Sequence, residues 1–66
     1  MNTSTRKLVT KYGIQGDSSG MYFGRHGWTY DGQDAVVFNT IEEAEQKMMQ
    51  RGFVARVVPF KVLLAD

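Results

Sequence analysis

His26 is the only histidine in the sequence, and so the one natural candidate for moving protons near neutral pH. General acid–base work needs a second positioned group beside it. Asp17, Asp31 and Asp34 are close in sequence, but each also suits a turn. Ser18 and Ser19 have no neighbouring base to activate their hydroxyls. The chain has no cysteine, which removes thiolate metal sites and disulfides, and one imidazole falls short of the ligand set that zinc takes. The glycines and hydroxyls of GDSSG, residues 16–20, lack the spacing of a phosphate-binding P-loop. The expectation is a chain without catalytic residues, metal or cofactor.

Contact chemistry is better represented. Residues 20–32, GMYFGRHGWTYDG, gather four glycines, four aromatics, one arginine and the histidine. Tyr, Trp and Arg are the residues that most often anchor protein interfaces. Tyr22, Arg25, His26 and Tyr30 are therefore the candidate partner-binding residues. The same aromatics could stack bases of a single strand. In that alternative Arg6, Lys7, Lys11 and Arg25 would hold phosphates, although the order of residues does not match the RNP1 motif of RRM sheets. Trp28 is the best core candidate of the group, since a small domain gains most by burying its largest side chain.

Such residues need a scaffold, and 66 residues make one small domain, with residues 1–5 frayed. A chain of this length buries only about 60% of its unfolded surface. Disulfides and metals being excluded, association is the remaining staple, which points to a homodimer or a partner-bound protein. The formal net charge is +1, far from the strong basic excess of a dedicated DNA binder. Arg6, Lys7 and Lys11 nonetheless precede the first acid, and lysine on a strand edge also guards against aggregation. No apolar run approaches the ~18 residues that span a bilayer. MNTSTRK lacks the apolar stretch of a leader, so a cytoplasmic location with no membrane partner is expected.

Alternation predicts a first strand over KLVTKYGI (7–14), followed by the turn-formers QGDSSG. MYFGRHGWTY (21–30) reads as one extended segment interrupted at Gly24 and Gly27, where a bulge or kink is expected. DGQD marks a turn, and AVVFN (35–39) a third short strand. Thr40 with Glu43 forms a capping box ahead of the helix IEEAEQKMMQR, with Gly52 placed to close it. Ile41, Ala44, Met48 and Met49 form its apolar stripe. In FVARVVPFKVLLAD, Pro59 should end the last strand, bulge it, or place it on an edge, with 59–66 as an extended arm. The fold class is α+β: a small antiparallel sheet in the order β-β-β-α-β, with one helix packed on one face. The last segment is apolar on both faces, so the second face needs cover from another chain or from the N-terminal hairpin.

The pattern Trp28…Ala35…Phe38-x-Thr40-x-Glu42-Glu43-Ala44, closed by Ala55, Val57 and Val58, resembles many short proteins encoded by bacteriophages. The resemblance covers roughly residues 20–58. It implies an accessory factor without enzyme activity that binds a host protein and inhibits or redirects it, in the host cytoplasm. A weaker likeness is to the WGR domain of poly(ADP-ribose) polymerases, through Gly24–Trp28, Gly32-Gln33 and the Phe38–Ala44 run. Here the tryptophan follows the arginine rather than preceding it, and that family's closing segment is absent. The leading expectation is a host-protein binder with transcription or defence machinery as the target class. The alternatives are a small nucleic-acid-binding module and a structural dimer joined through FKVLLA.

Overall fold

The computed structural model describes residues 7–64. The expected frayed residues 1–5, Arg6 and the last two residues of the expected arm lie outside that range. The elements are β1 (Lys7–Gly16), β2 (Tyr22–Gly24), β3 (Gly27–Thr29), a 3-10 turn (Gly32–Asp34), α1 (Ile41–Arg51) and β4 (Ala55–Leu64). All strand pairs are antiparallel, in the order β3-β2-β1-β4, so the chain is a small α+β fold of the expected β-β-β-α-β order.

The third strand is not the expected one. Residues 21–30 do not run straight: Gly24 and Gly27 bracket the two-residue loop Arg25-His26 and pair with each other across it. Arg25 and His26 keep negative φ, and Gly27 absorbs the reversal at φ 118°, a value closed to other residues. The reversal decides which side chains meet. Phe23 pairs with Trp28 on one face, and Tyr22 with Thr29 on the other.

AVVFN is not a regular strand. β1 and β2 pair only at Gln15–Tyr22 and then diverge, and residues 35–38 fill the gap. Ala35 bridges Gly24, and Phe38 bridges Tyr12 through N–H···O bonds of 2.9 and 2.7 Å. Asp31 opens the preceding 3-10 turn by accepting the Gln33 N–H at 2.9 Å.

The capping box forms as the sequence predicts. Thr40 Oγ1 accepts the Glu43 N–H at 3.1 Å, and Glu43 Oε1 accepts the Asn39 N–H at 3.0 Å. Gly52, at φ 70°, closes the helix and donates to Met48 O. Ala44 on the helix and Ile14 on β1 are fully buried. The apolar stripe is narrower than expected: Met48 is half-buried, whereas Ile41 and Met49 are exposed. The helix meets a sheet strip only two strands wide, β1 and β4, so few of its positions are shielded.

β1 and β4 pair along their whole length, from Lys7–Leu64 to Gly16–Ala55. Tyr12 directs its backbone N–H and C=O to Phe38, away from β4. Tyr12–Pro59 is therefore a non-hydrogen-bonded pair, and the proline nitrogen faces the open edge, where no ladder bond is lost. Residues 60–64, expected as an extended arm, form the second half of β4. Because α1 starts just after the Tyr12–Phe38 bridge and runs toward the Gly16–Ala55 end, Lys7–Lys11 and Phe60–Leu64 extend past it as a two-stranded ribbon. The molecule measures 49 × 23 × 17 Å with a radius of gyration of 13.5 Å. A compact chain of this length would have a radius near ~11 Å.

Candidate functional site

The hairpin places the candidate binding residues at two ends. Arg25 and His26 are exposed at its tip, with the Arg25 N–H donating to Asp34 O at 3.2 Å. Tyr30 lies at the opposite end, 73% exposed, its hydroxyl donating to Ser19 O at 3.3 Å. Tyr22 is half-buried, packed edge-on against Phe60 with ring centroids 5.1 Å apart. Arg25 and His26 therefore form one surface and Tyr30 another, while Tyr22 is mainly a packing residue.

Phe60 organises the face away from the helix. Its ring lies over Gly13, so close that a Cβ built there would sit 2.6 Å from Phe60 Cε1. The 3-10 turn crosses this face and brings Gly32 against the same ring. The sequence points to the N-terminal hairpin or another chain as cover for this face; part of the cover is the 3-10 turn, with the Tyr22 ring beside it. Beside the turn an open groove of about 620 Å³ remains. Ala35, Val37, Phe60 and Val62 give it apolar walls, and Arg25, Asp31 and Gln33 give it polar ones. Among the described residues, Arg25 is the one expected site residue that lines it.

Of the residues expected to hold phosphates, Lys7 and Lys11 share one face of β1, and Arg25 sits on the hairpin tip. Lys11 Nζ donates to Asn39 Oδ1. Arg6 lies outside the described residues. The sequence reading missed Lys61, whose Nζ donates to Thr10 Oγ1 at 2.8 Å across the ribbon. Together β1 and β4 carry Lys7, Lys11, Arg56 and Lys61 and no carboxylate. Aligning the two segments antiparallel would have exposed that bias.

A second apolar surface lies at the closed end of the sheet. Phe23, Trp28 and Phe53 pack at centroid distances of 5.0–6.0 Å. The Arg51 guanidinium lies 5.8 Å from the ring centroids of both Phe23 and Phe53. Trp28, expected in the core, remains 39% exposed because β3 is an edge strand of three residues. Met49 and Val54 beside this cluster are each 81% exposed.

The groups weighed for chemistry occupy turn positions. Asp31 caps the 3-10 turn, Ser19 Oγ accepts the Met21 N–H at 3.1 Å, and Asp17, Asp34 and His26 are exposed. Among the described residues no group of three or more His, Cys, Asp or Glu side chains is placed to hold a metal ion. No described helix is long and apolar enough to cross a membrane. No family model, curated protein or solved structure matches the chain.

Proposed function

We propose that the chain is a non-catalytic protein-binding domain, of the kind formed by small phage accessory factors, which occupies a host protein and inhibits or redirects it. Transcription or defence machinery is the target class. The observation that carries this reading is the ribbon beyond α1. Its Leu8 and Leu63, paired side by side, are 68% and 52% exposed, and the groove at Phe60 opens on its other face. A 66-residue chain has little core to spare, and apolar surface left outside it is the usual mark of an interface.

The test is affinity capture from bacterial lysate with mass spectrometry, using the full chain and the variants Leu8→Ser, on the exposed leucine pair of the ribbon, and Arg25→Ala, on the hairpin tip that lines the groove. The expected result is one protein retained by the parent chain and lost by at least one variant. If both variants retain it, neither the leucine pair nor the groove is the contact. If nothing is captured above a control column, the reading falls.

The four cations of β1 and β4, unopposed by acids, favour a second reading as a nucleic-acid-binding module. Titration of single- and double-stranded oligonucleotides over a range of salt separates the two. Binding that weakens steeply with salt supports the second reading, and no binding at low salt rejects it.

A further inference from the structure

The sheet has one strand position that is only half filled. Residues 35–38 lie beside β1 where β2 diverges, and they stop at the Tyr12–Phe38 bridge, after which Asn39 and Thr40 lead into α1. Beyond that bridge β1 continues outward through Lys7 to Thr10. Tyr12 exchanges backbone bonds with Phe38, and the Gly16 N–H goes to Met21 O, so the even residues of β1 face this edge and the odd ones bond β4. Leu8 and Thr10 therefore direct N–H and C=O groups into the open position, and among the described residues no backbone group pairs with them there. Four residues of strand make an edge ~13 Å long.

The two sides of this edge differ in charge. Alternation places Lys7, Val9 and Lys11 on the Phe60 side, and Leu8 and Thr10 on the helix side. β1 has no carboxylate, and Lys11 Nζ donates to the neutral side chain of Asn39. Two acids stand on neighbouring elements, Asp31 on the turn that crosses the Phe60 side and Glu43 on α1, and both already accept backbone N–H groups. On the helix side Lys61 is offset by Glu42 and Glu43 in the first turn of α1, and Leu8, 68% exposed, is the apolar contact. The other edges suit a partner strand less. β3 has three residues, and the free edge of β4 is interrupted by Pro59, which has no N–H to give. A second copy paired antiparallel through the β1 edge and centred on Val9 would set Lys7 directly opposite Lys11 on one face. The lysines that repel such a strand admit one of opposite sign.

We propose that this position takes an extended segment of the partner protein in which carboxylate and apolar side chains alternate, added antiparallel to β1 in line with residues 35–38. Hydrogen bonds to Leu8 and Thr10 hold its backbone. A residue opposite Val9 lies diagonal to both Lys7 and Lys11, so a glutamate there reaches both ammonium groups. The residues before and after it fall on the helix side, opposite Leu8 and Thr10, where an apolar side chain covers Leu8. The occupant thereby extends the strand position that residues 35–38 begin. This inference rests on the protein-binding reading and names the chemistry of the partner segment.

The probe is a synthetic peptide of about seven residues in which valine alternates with glutamate, titrated into the full chain by fluorescence anisotropy. One control carries lysine in place of glutamate, and a second has the same composition in two blocks, valines then glutamates. The alternating glutamate peptide is expected to bind, more weakly as salt is added, and both controls at least ~10-fold more weakly. Lys7→Glu together with Lys11→Glu should weaken binding by at least ~10-fold, while Lys61→Glu, on the other side of the ribbon, changes it by less than ~3-fold. Leu8→Ser keeps the backbone donor and should cost about tenfold. Leu8→Pro removes an N–H that the fold leaves unused, as Pro59 does on β4, and should cost a further ~10-fold, with circular dichroism and thermal melting checking the fold. In the parent chain, bound peptide should slow amide exchange at Leu8 and Thr10 and shift the amides of residues 7–11. Equal binding of the glutamate peptide and either control, unchanged exchange at Leu8 and Thr10, or shift changes centred on Gln33 in the groove or on Trp28 would each overturn the inference. So would a Leu8-dependent dimer at sedimentation equilibrium, or a single-stranded oligonucleotide that binds the same lysines more tightly than the peptide. A lysate partner still retained by the Lys7→Glu, Lys11→Glu variant would overturn it while leaving the protein-binding reading intact. Peptide binding at this edge with no lysate partner would support the edge chemistry and sink the host-protein reading.

Discussion

Replacing Gly13 by alanine should destabilise the fold through Phe60, and the size of the effect follows from the geometry. The new Cβ would lie 2.6, 3.2 and 3.3 Å from three carbons of the Phe60 ring. Tyr22 packs edge-on against the ring from another side, so moving the ring away from the new methyl gives up that contact. Overpacking of this kind costs ~1–3 kcal/mol. Loss of the edge-on Tyr22–Phe60 contact adds ~0.5–1.5 kcal/mol. Gly13 is not among the positive-φ glycines, so alanine fits its backbone and recovers ~0.4–1 kcal/mol by restricting the unfolded chain. The net expectation is ~2 kcal/mol, a fall in Tm of roughly 8–16 °C. Thermal and urea unfolding measure it. A double-mutant cycle isolates the cause: with Phe60→Ala already in place, Gly13→Ala should be neutral or stabilising. Equal destabilisation in both backgrounds would refute the argument, since the penalty would then not come from the ring.

Thr40→Ala removes the acceptor for the Glu43 N–H and should lower stability by ~1 kcal/mol, with Thr40→Ser nearly silent, as read from urea midpoints. Ile14→Ala opens a cavity at a fully buried side chain and should cost ~2–5 kcal/mol. Far-ultraviolet circular dichroism at 25 °C would reveal the resulting loss of structure, and unchanged melting would contradict the central position given to Ile14.

The helix was legible because its signals are local. Thr40, Glu43 and Gly52 each act within one turn of a terminus, and the structure uses all three. The hairpin was misread for a related reason. Gly24 and Gly27 carry the right spacing for a two-residue loop, but Arg25-His26 is not a residue pair that favours the usual hairpin turns, so residues 21–30 read as one strand. The reversal sets Trp28 beside Phe23 and Thr29 beside Tyr22, and it separates Arg25 and His26 at the tip from Tyr30 at the other end. AVVFN has the composition of a strand but sits where β1 and β2 part, which is a property of pairing and not of the segment. Pro59 was read usefully: one of the outcomes allowed for it, an edge position, is the one found. The cation-rich ribbon was invisible because Lys61 and Thr10 are brought together only by the register of the first and last strands.

The long shape of the molecule has a bearing on how its company is counted. A body of 49 × 23 × 17 Å drags more water than a sphere of equal mass, so a single chain should elute early from a sizing column and imitate a pair. Stoichiometry is better taken from mass than from mobility, and an elongated solitary chain should not be mistaken for a couple on the strength of its elution volume.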